Sequence, residues 1–243
     1  MSIVLVRRAM AELVGTAFLV AAVIGSGIAA ARLSPNDMGL ELLENSLITG
    51  AALTALILAL QPVSAAFNPV VTLVERALKV ITTADAAVLI GAQLVGGCLG
   101  AVTANVMFNL DAVSIATHER ASAGLWLGEV VATLGLLLVI FGTLRAGRGH
   151  NVAFAVGSYI TAAYWFTSST SFANPAVTVA RMFSDSFAGI APSSVPMFIV
   201  MELAGGVLGL VLIKFLYPSS AALAAEFASA AGSPDELVRE LSP

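Results

Sequence analysis

The sequence predicts an all-α membrane protein in which six transmembrane helices and two re-entrant half-helices form an inverted repeat. Three observations predict this fold class. The composition is very apolar, the apolar residues fall into six long stretches, and the same Asn-Pro signal occurs once in each half of the chain. Each half is therefore expected to contribute three spans and one half-helix.

The composition excludes a water-soluble protein. Of the 243 residues 58% are hydrophobic and 11% are charged, whereas soluble domains carry about 25% charged residues. No basic cluster is present, so a nucleic-acid partner is not expected. Cys98 is the single cysteine, which rules out an intramolecular disulfide and argues against a cysteine-based metal site. We expect Cys98 to be a small packing residue.

Six apolar stretches approach the length of about 20 residues that a hydrocarbon core requires. They are residues 9–31, 44–60, 84–108, 124–144, 151–166 and 195–216. The first is too long for a signal peptide and is expected to be retained. If the N-terminus is inside, eight of the 11 Lys and Arg residues lie on that side. This bias predicts both termini in the cytoplasm.

The chain divides into three parts on this basis. Residues 1–8 are the predicted cytoplasmic N-terminus, residues 9–217 the membrane domain and residues 218–243 a cytoplasmic tail. Within the membrane domain three landmarks recur in the same order, so the repeat halves span about 9–110 and 124–217. The landmark pairs are residues 11–16 with 128–133, 66–76 with 171–181, and 93–100 with 202–209. Since three spans is an odd number, the second half must be inserted upside down.

The two Asn-Pro signals read Asn68-Pro69-Val70 and Asn174-Pro175-Ala176. Asn is a good helix N-cap and Pro suits the first helical position. The first half-helix, Asn68 to Leu78, is about 16 Å long, roughly half of a bilayer core. In an inverted repeat the two N-termini meet at mid-membrane. Their partial positive charges oppose cations, and the Asn amides can donate to a solute oxygen.

On these residues the chain resembles the aquaporin, or major intrinsic protein, family over about residues 9–217. The resemblance implies a homotetramer in the lipid bilayer with one pore per subunit, no cofactor, and passive conduction of water, glycerol or similar small neutral solutes. It also implies that Glu12 and Glu129 accept hydrogen bonds from the backbones of the re-entrant loops. No paired carboxylates, nucleophile triad, phosphate loop or metal cluster is present, so an enzyme is not expected.

The sequence departs from the family pattern near both signatures. Val70 replaces the usual Ala, and Ala66 or a one-residue gap stands where the family often has His. Val177 occupies the position of the filter Arg, while Arg181, one helical turn further on, is interpreted as a charge at the mouth or at an interface. A bacterial aquaglyceroporin-like subgroup with this Val is linked to arsenic resistance. That resemblance implies neutral arsenic or antimony hydroxides, and methylated arsenicals, as preferred solutes. It also implies a location in the bacterial inner (plasma) membrane.

The remaining filter positions are predicted by counting along the chain. Ser171 is expected beside Val177, and the other two positions stay open between Ile48 and Thr49 and between Ala162 and Tyr164. Two other functions remain as alternatives: a secondary transporter of the same plan coupled to an ion gradient, and a water-selective aquaporin. The absence of a titratable residue among the midplane Asn, Pro, Ala and Val residues favours the channel over the transporter.

Overall fold

Residues 2–217 are described by the computed structural model, and their fold consists of helices without strands. The predicted tail, residues 218–243, lies outside the described residues. A 3-10 turn at Gly149–Asn151 precedes α6. The helices are α1 Ile3–Leu33, α2 Met38–Leu60, α3 Pro69–Ala77, α4 Thr83–Met107, α5 Ala123–Arg145, α6 Val152–Phe166, α7 Pro175–Arg181 and α8 Val195–Leu216.

Each of the six predicted spans coincides with a helix. Five helices (α1, α2, α4, α5 and α8) are long and apolar enough to cross a membrane by length and composition. The 15 residues of α6 reach about 22 Å, and the preceding 3-10 turn adds about 6 Å. Both α1 and α2 begin about six residues earlier than their apolar stretches, because helical hydrogen bonding continues where hydropathy ends.

The two faces of the molecule follow from the order of these helices. We call the side where α1 begins and α8 ends the terminal face, and the opposite side the distal face. Residues 61–67 enter from the terminal face to mid-membrane, and α3 returns to that face. Residues 167–173 enter from the distal face, and α7 returns there. The half-helices α3 and α7 contact each other where both begin, so the fold is the expected inverted repeat.

Glycines allow the closest helix pairs of each repeat to approach. Helix α1 packs on α4, and α5 packs on α8 in the same way. A Cβ atom on Gly96 would overlap the carbonyl oxygen of Leu13, and one on Gly205 would lie 2.6 Å from the carbonyl oxygen of Val130. The Gly-rich segments of α4 and α8 therefore serve helix packing.

Candidate conduction pathway

Both half-helices begin as their sequences predict. Asn68 is extended and caps α3, with its Oδ1 accepting from the Val70 N–H group at 2.9 Å. Asn174 caps α7, and its Oδ1 accepts from the N–H groups of Ala176 at 3.0 Å and Val177 at 3.3 Å. In each half-helix Pro occupies the first turn, where its missing N–H group costs nothing.

The two caps also bond across the midplane. Asn68 Nδ2 donates to the carbonyl oxygen of Ala173 at 2.7 Å, and Asn174 Nδ2 donates to that of Phe67 at 2.7 Å. Phe67 and Ala173 have φ values of 47° and 48°, and this left-handed backbone directs each carbonyl at the opposite Asn. An amide nitrogen carries two protons, so each Asn keeps one N–H for a solute while its orientation is fixed by the other.

Two buried carboxylates hold the re-entrant loops. Glu12 on α1 accepts from the N–H groups of Ala66 at 2.9 Å and Phe67 at 2.7 Å. Glu129 on α5 accepts from those of Phe172 at 3.0 Å and Ala173 at 2.7 Å. Non-helical backbone at membrane depth needs such internal partners. Both residues lie where the predicted anchoring role requires.

Glu202 on α8 also contacts the second half-helix, which the sequence did not indicate. Its Oε1 accepts from the Asn174 N–H group at 3.2 Å and from the Thr178 hydroxyl at 2.5 Å. The matching residue of the first half, Gln93, donates to Thr72 at 2.9 Å and to Glu12 at 2.8 Å. The repeat pairing of Gln93 with Glu202 was the signal that could have predicted this role.

A cavity of about 170 Å³ passes the two Asn residues. Arg8 and Glu75 line it toward the terminal face, and Arg181 lines it toward the distal face. Much of its wall is aliphatic and comes from α1, α2, α5 and α6. Near mid-membrane the polar lining includes the side chains of Asn68 and Asn174. A path with one apolar and one polar wall can form hydrogen bonds to a small neutral solute in place of water without binding the solute tightly.

Five side chains line the distal part of this cavity, and we call them the distal ring. They are Thr49, Tyr164, Ser171, Val177 and Arg181. All five are less than 6% exposed. The hydroxyl groups of Thr49 and Tyr164 lie 3.2 Å apart and form a hydrogen bond, whereas the buried Ser171 hydroxyl has no partner among the described residues 2–217. The ring therefore offers a free hydroxyl group beside an aliphatic and an aromatic side chain.

The alternatives Ile48 and Ala162 lie outside the ring, so these two assignments are wrong. Ile48 is 51% exposed on the outer surface. Ala162 is also exposed and borders a shallow groove between α2 and α6 on the outside of the bundle. Successive residues on a helix point about 100° apart. The side chain next to a wall residue therefore faces away from the cavity.

Arg181 is also placed differently from its interpretation as a mouth or interface charge. Its side chain is 2% exposed and lines the cavity. The Nε–H group donates to the carbonyl oxygen of Ala188. The guanidinium carbon lies 3.4 Å from the centroid of the Phe172 ring. The buried side chain and its fixed position assign Arg181 to the pathway itself.

A second guanidinium lies on the distal loops near Phe172. Arg120 Nε donates to the carbonyl oxygen of Gly189 at 3.0 Å, and its guanidinium carbon lies 5.0 Å from the Phe172 centroid. Burial lowers the pKa of Arg120 to about 10, so the group stays protonated at neutral pH. Burial and the charges of Arg120 and Arg181 also lower the pKa of His118 below its usual 6.5, which Asp185 partly opposes.

Two capped half-helices that meet beside a cavity, inside six spans, define a membrane channel of the aquaporin plan. The profile of the major intrinsic protein family matches residues 1–171 and again residues 146–241, and the chain belongs to that family. The chain is therefore a channel and not an enzyme, as predicted.

Known relatives agree with this assignment. Aquaglyceroporin AqpS of Rhizobium meliloti (strain 1021) is 45% identical over 213 residues, which cover 87% of this chain and 91% of the relative. The crystal structure of the aquaglyceroporin from Plasmodium falciparum matches with a TM-score of 0.67 at 21% identity, over 89% of this chain and 99% of that one. The second likeness concerns the fold.

Proposed function

We propose that this protein is an aquaglyceroporin-like channel that conducts water, glycerol and uncharged metalloid hydroxides down their gradients. The observation that carries the proposal is the cavity past Asn68 and Asn174, each of which keeps an amide N–H for a solute. The relative named aquaglyceroporin supports glycerol-type solutes. The predicted roles of the Asn-Pro residues and of the distal ring are part of this proposal.

The charge distribution favours neutral solutes over ions. The N-termini of α3 and α7 both point at the midplane, and each carries about half a positive charge. Asn68 and Asn174 are already held by backbone carbonyls and cannot turn their oxygens toward a cation. A cation would lose its water without gaining compensating acceptors, whereas a neutral polyol can exchange hydrogen bonds along the path.

Val177 supports the larger solutes within this class. Its side chain, 5% exposed, lines the cavity without a polar atom. Arsenous acid is neutral at physiological pH and, like glycerol, presents three hydroxyl groups on a compact core. A solute of this shape can contact an aliphatic side chain on one side and the Ser171 hydroxyl on the other. Methylated arsenicals with a remaining hydroxyl group belong to the same class.

Purified protein in liposomes tests the function directly. Stopped-flow swelling should give glycerol flux above that of empty liposomes, and arsenite uptake should rise in parallel without response to pH or sodium gradients. Val177→Trp is the matched control, because the large indole group should block the path at the distal ring and stop all of these fluxes. Uphill uptake driven by a gradient would establish a transporter, and water flux alone would establish a water-selective pore.

We propose further that four chains assemble in the membrane, as the family resemblance implies, with both termini in the cytoplasm. Many large apolar side chains on the outer surface are exposed, which suits contact with lipid or with a second copy. Cross-linking in membranes tests the tetramer. Labelling of cysteines introduced at Ser2 and at Asn109 in a Cys98→Ser background tests the orientation, since these positions lie on opposite faces.

A further inference from the structure

We propose that Arg181 supplies the positive charge and the guanidinium donors of the distal ring, from one helical turn beyond the position that Val177 occupies. The inference rests on the proposed channel function. It makes Arg181 a specificity-determining residue that excludes cations and binds the hydroxyl oxygens of passing neutral solutes. The small Val177 side chain and the long Arg181 side chain then act together in determining which solutes pass the distal ring.

Helix geometry lets Arg181 act at the level of Val177. Residues four apart lie on the same face of a helix, and side chains tilt toward the helix N-terminus. The N-terminus of α7 is at mid-membrane, so the Arg181 side chain leans back from the distal end toward Val177. One turn rises about 5.4 Å, which an extended Arg side chain can cover. Both residues line the same cavity.

The guanidinium is fixed on the side away from the solute. Its Nε–H group donates to the carbonyl oxygen of Ala188, and its guanidinium carbon lies 3.4 Å from the centroid of the Phe172 ring. Phe172 is held in turn by an edge-to-face contact with Phe198, with ring centroids 5.1 Å apart. A donor held in this way loses little entropy when a solute binds. The arrangement therefore resembles a preformed binding group more than a mobile surface charge.

The terminal N–H groups of Arg181 remain for a solute. Within residues 2–217 no carboxylate forms an ion pair with Arg181, and the Nε–H group makes its hydrogen bond to the protein. The Ser171 hydroxyl, also without a partner, lines the same part of the cavity. The buried carboxylates of Glu129 and Glu202 attract Arg181 without forming an ion pair with it, and a buried charge without a direct partner is costly. Its retention at the cavity is explained if hydroxyl oxygens of solutes and water satisfy it.

Arg120 strengthens the same field from behind. It lies 5.0 Å from the Phe172 ring that Arg181 contacts at 3.4 Å, but it does not line the cavity. With both guanidinium groups next to the Phe172 side chain, the positive electrostatic potential at the distal end of the cavity is raised, and the charge of Arg120 is added without narrowing the path. The distal ring can thus exclude cations while Val177 leaves room for a solute larger than water.

Variants of Arg181 in liposomes test the inference. Arg181→Gln keeps much of the length and a donor but removes the charge, and Arg181→Lys keeps the charge. We expect proton and potassium leak, measured with a pH-sensitive dye and by potassium-driven swelling, to rise about tenfold or more in the Gln variant. The Lys variant should stay near the unsubstituted protein. Glycerol flux should fall in the Gln variant, because Gln offers fewer donors to the hydroxyl oxygens of the solute. It should stay above that of empty liposomes in both variants, which shows that a pore has formed.

Arg32→Gln is the matched control. Arg32 lies on the same distal face, and its guanidinium carbon is 5.2 Å from the Phe108 ring, but it is exposed and lies away from the cavity. Its replacement should change neither leak nor glycerol flux. If Arg181→Gln conducts glycerol and excludes cations as well as the unsubstituted protein does, the inference is overturned. If the unsubstituted protein conducts no glycerol, the proposed function fails instead.

A second measurement leaves Arg181 in place, in case its variants do not reach the membrane. The thiol of the Val177→Cys variant should react faster with an anionic than with a cationic thiosulfonate reagent of similar size, after correction for the rates of both reagents with a free thiol. The unsubstituted protein, which has only Cys98, gives the background rate. We expect a preference of roughly tenfold for the anionic reagent. Equal corrected rates would show that no positive charge acts at Val177, and the inference would be abandoned.

Discussion

At the scale of single residues, Val177 and its neighbours set the polarity of the distal ring. Val177 presents methyl groups to the cavity, Ser171 a free hydroxyl, and Tyr164 a phenol that bonds to Thr49 at 3.2 Å. The ring is therefore less polar at position 177 than one with Arg there. Its aromatic wall and single free hydroxyl group suit a solute that has both apolar and hydroxyl surface.

Val177→Arg should narrow the range of solutes while sparing water. A second guanidinium one turn from Arg181 would fill the space beside Ser171 and raise the barrier for glycerol and arsenite. An increase of about 1.4 kcal/mol lowers their flux roughly tenfold. Stopped-flow water permeability and uptake of arsenite and methylarsenite in the same liposomes measure this. Val177→Ile, of similar polarity, is the control, and unchanged arsenite uptake in Val177→Arg would contradict the expectation.

His118 should make the folded protein less stable in mild acid. Its pKa is lowered below 6.5 by burial and by Arg120 and Arg181, so the folded state binds the proton less readily than the unfolded state. With respect to His118, the free energy of unfolding is then highest above pH 6.5 and decreases as the pH drops below this value. The loss of Tm in detergent between about pH 7.5 and 5.5 should be smaller for His118→Gln. His150→Gln, on the terminal face, is the control, and an identical loss in His118→Gln and the unsubstituted protein would rule this out.

At the scale of elements, the half-helices depend on close packing against the spans. Val70 at the start of α3 packs against Gly206 on α8, where an added Cβ would lie 2.6 Å from the Val70 methyl group. In the other half, a Cβ on Gly97 would lie 3.1 Å from the Ala180 methyl group of α7. Each half-helix thus rests on a glycine of the opposite repeat. Because Gly206 has no side chain, it leaves room for Val70, which replaces the usual Ala of the family.

Gly206→Ala should therefore destabilise the protein, and Val70→Ala should restore it in the double variant. Overpacking of this kind costs about 1–3 kcal/mol, which the smaller side chain at position 70 relieves. Thermal unfolding of the two single variants and the double variant gives the coupling between the sites. Gly91→Ala is the control, because no atom of residues 2–217 beyond its own surroundings in α4 lies within 4 Å of the added Cβ. Additive effects of the two substitutions would show that the contact does not limit packing.

At the scale of the whole molecule, the path exists only because the two halves meet. Each half supplies one Asn that caps a half-helix, and each Asn is oriented by a backbone carbonyl of the other half at 2.7 Å. Neither half alone encloses the cavity, whose walls come from both repeats. Conduction is therefore a property of the paired repeats and not of either Asn-Pro signal.

Asn174→Asp should weaken the exclusion of cations at this meeting point. The substitution removes the donor to Phe67 and places a negative charge against two positive helix ends, at a site only 6% exposed. A charge in such a site changes the barrier for a cation by about 1.4 kcal/mol or more, a roughly tenfold change in leak. Proton leak into dye-loaded liposomes measures it. Asn109→Asp, exposed on the distal face, should have no effect, and an unchanged leak in Asn174→Asp would argue against a role for this side chain in cation exclusion.

The sequence by itself determined the spans, the two capped half-helices and their inversion. These features depend on local quantities: hydropathy over about 20 residues, the capping preference of Asn before Pro, and an odd number of spans per half. Glu12 and Glu129 could be found as a repeated pair for the same reason. None of these inferences requires knowledge of which side of a helix faces the cavity.

Tertiary structure alone decided which side chains of the spanning helices complete the distal ring beside Ser171 and Val177. The spanning helices are apolar all round, so their sequences do not fix their rotation about the helix axis. Packing on neighbouring helices sets that rotation, which places Thr49 and Tyr164 on the cavity and Ile48 and Ala162 outside. The same packing buries Arg181 at the cavity, where the loop residue Ala188 and the Phe172 ring hold it.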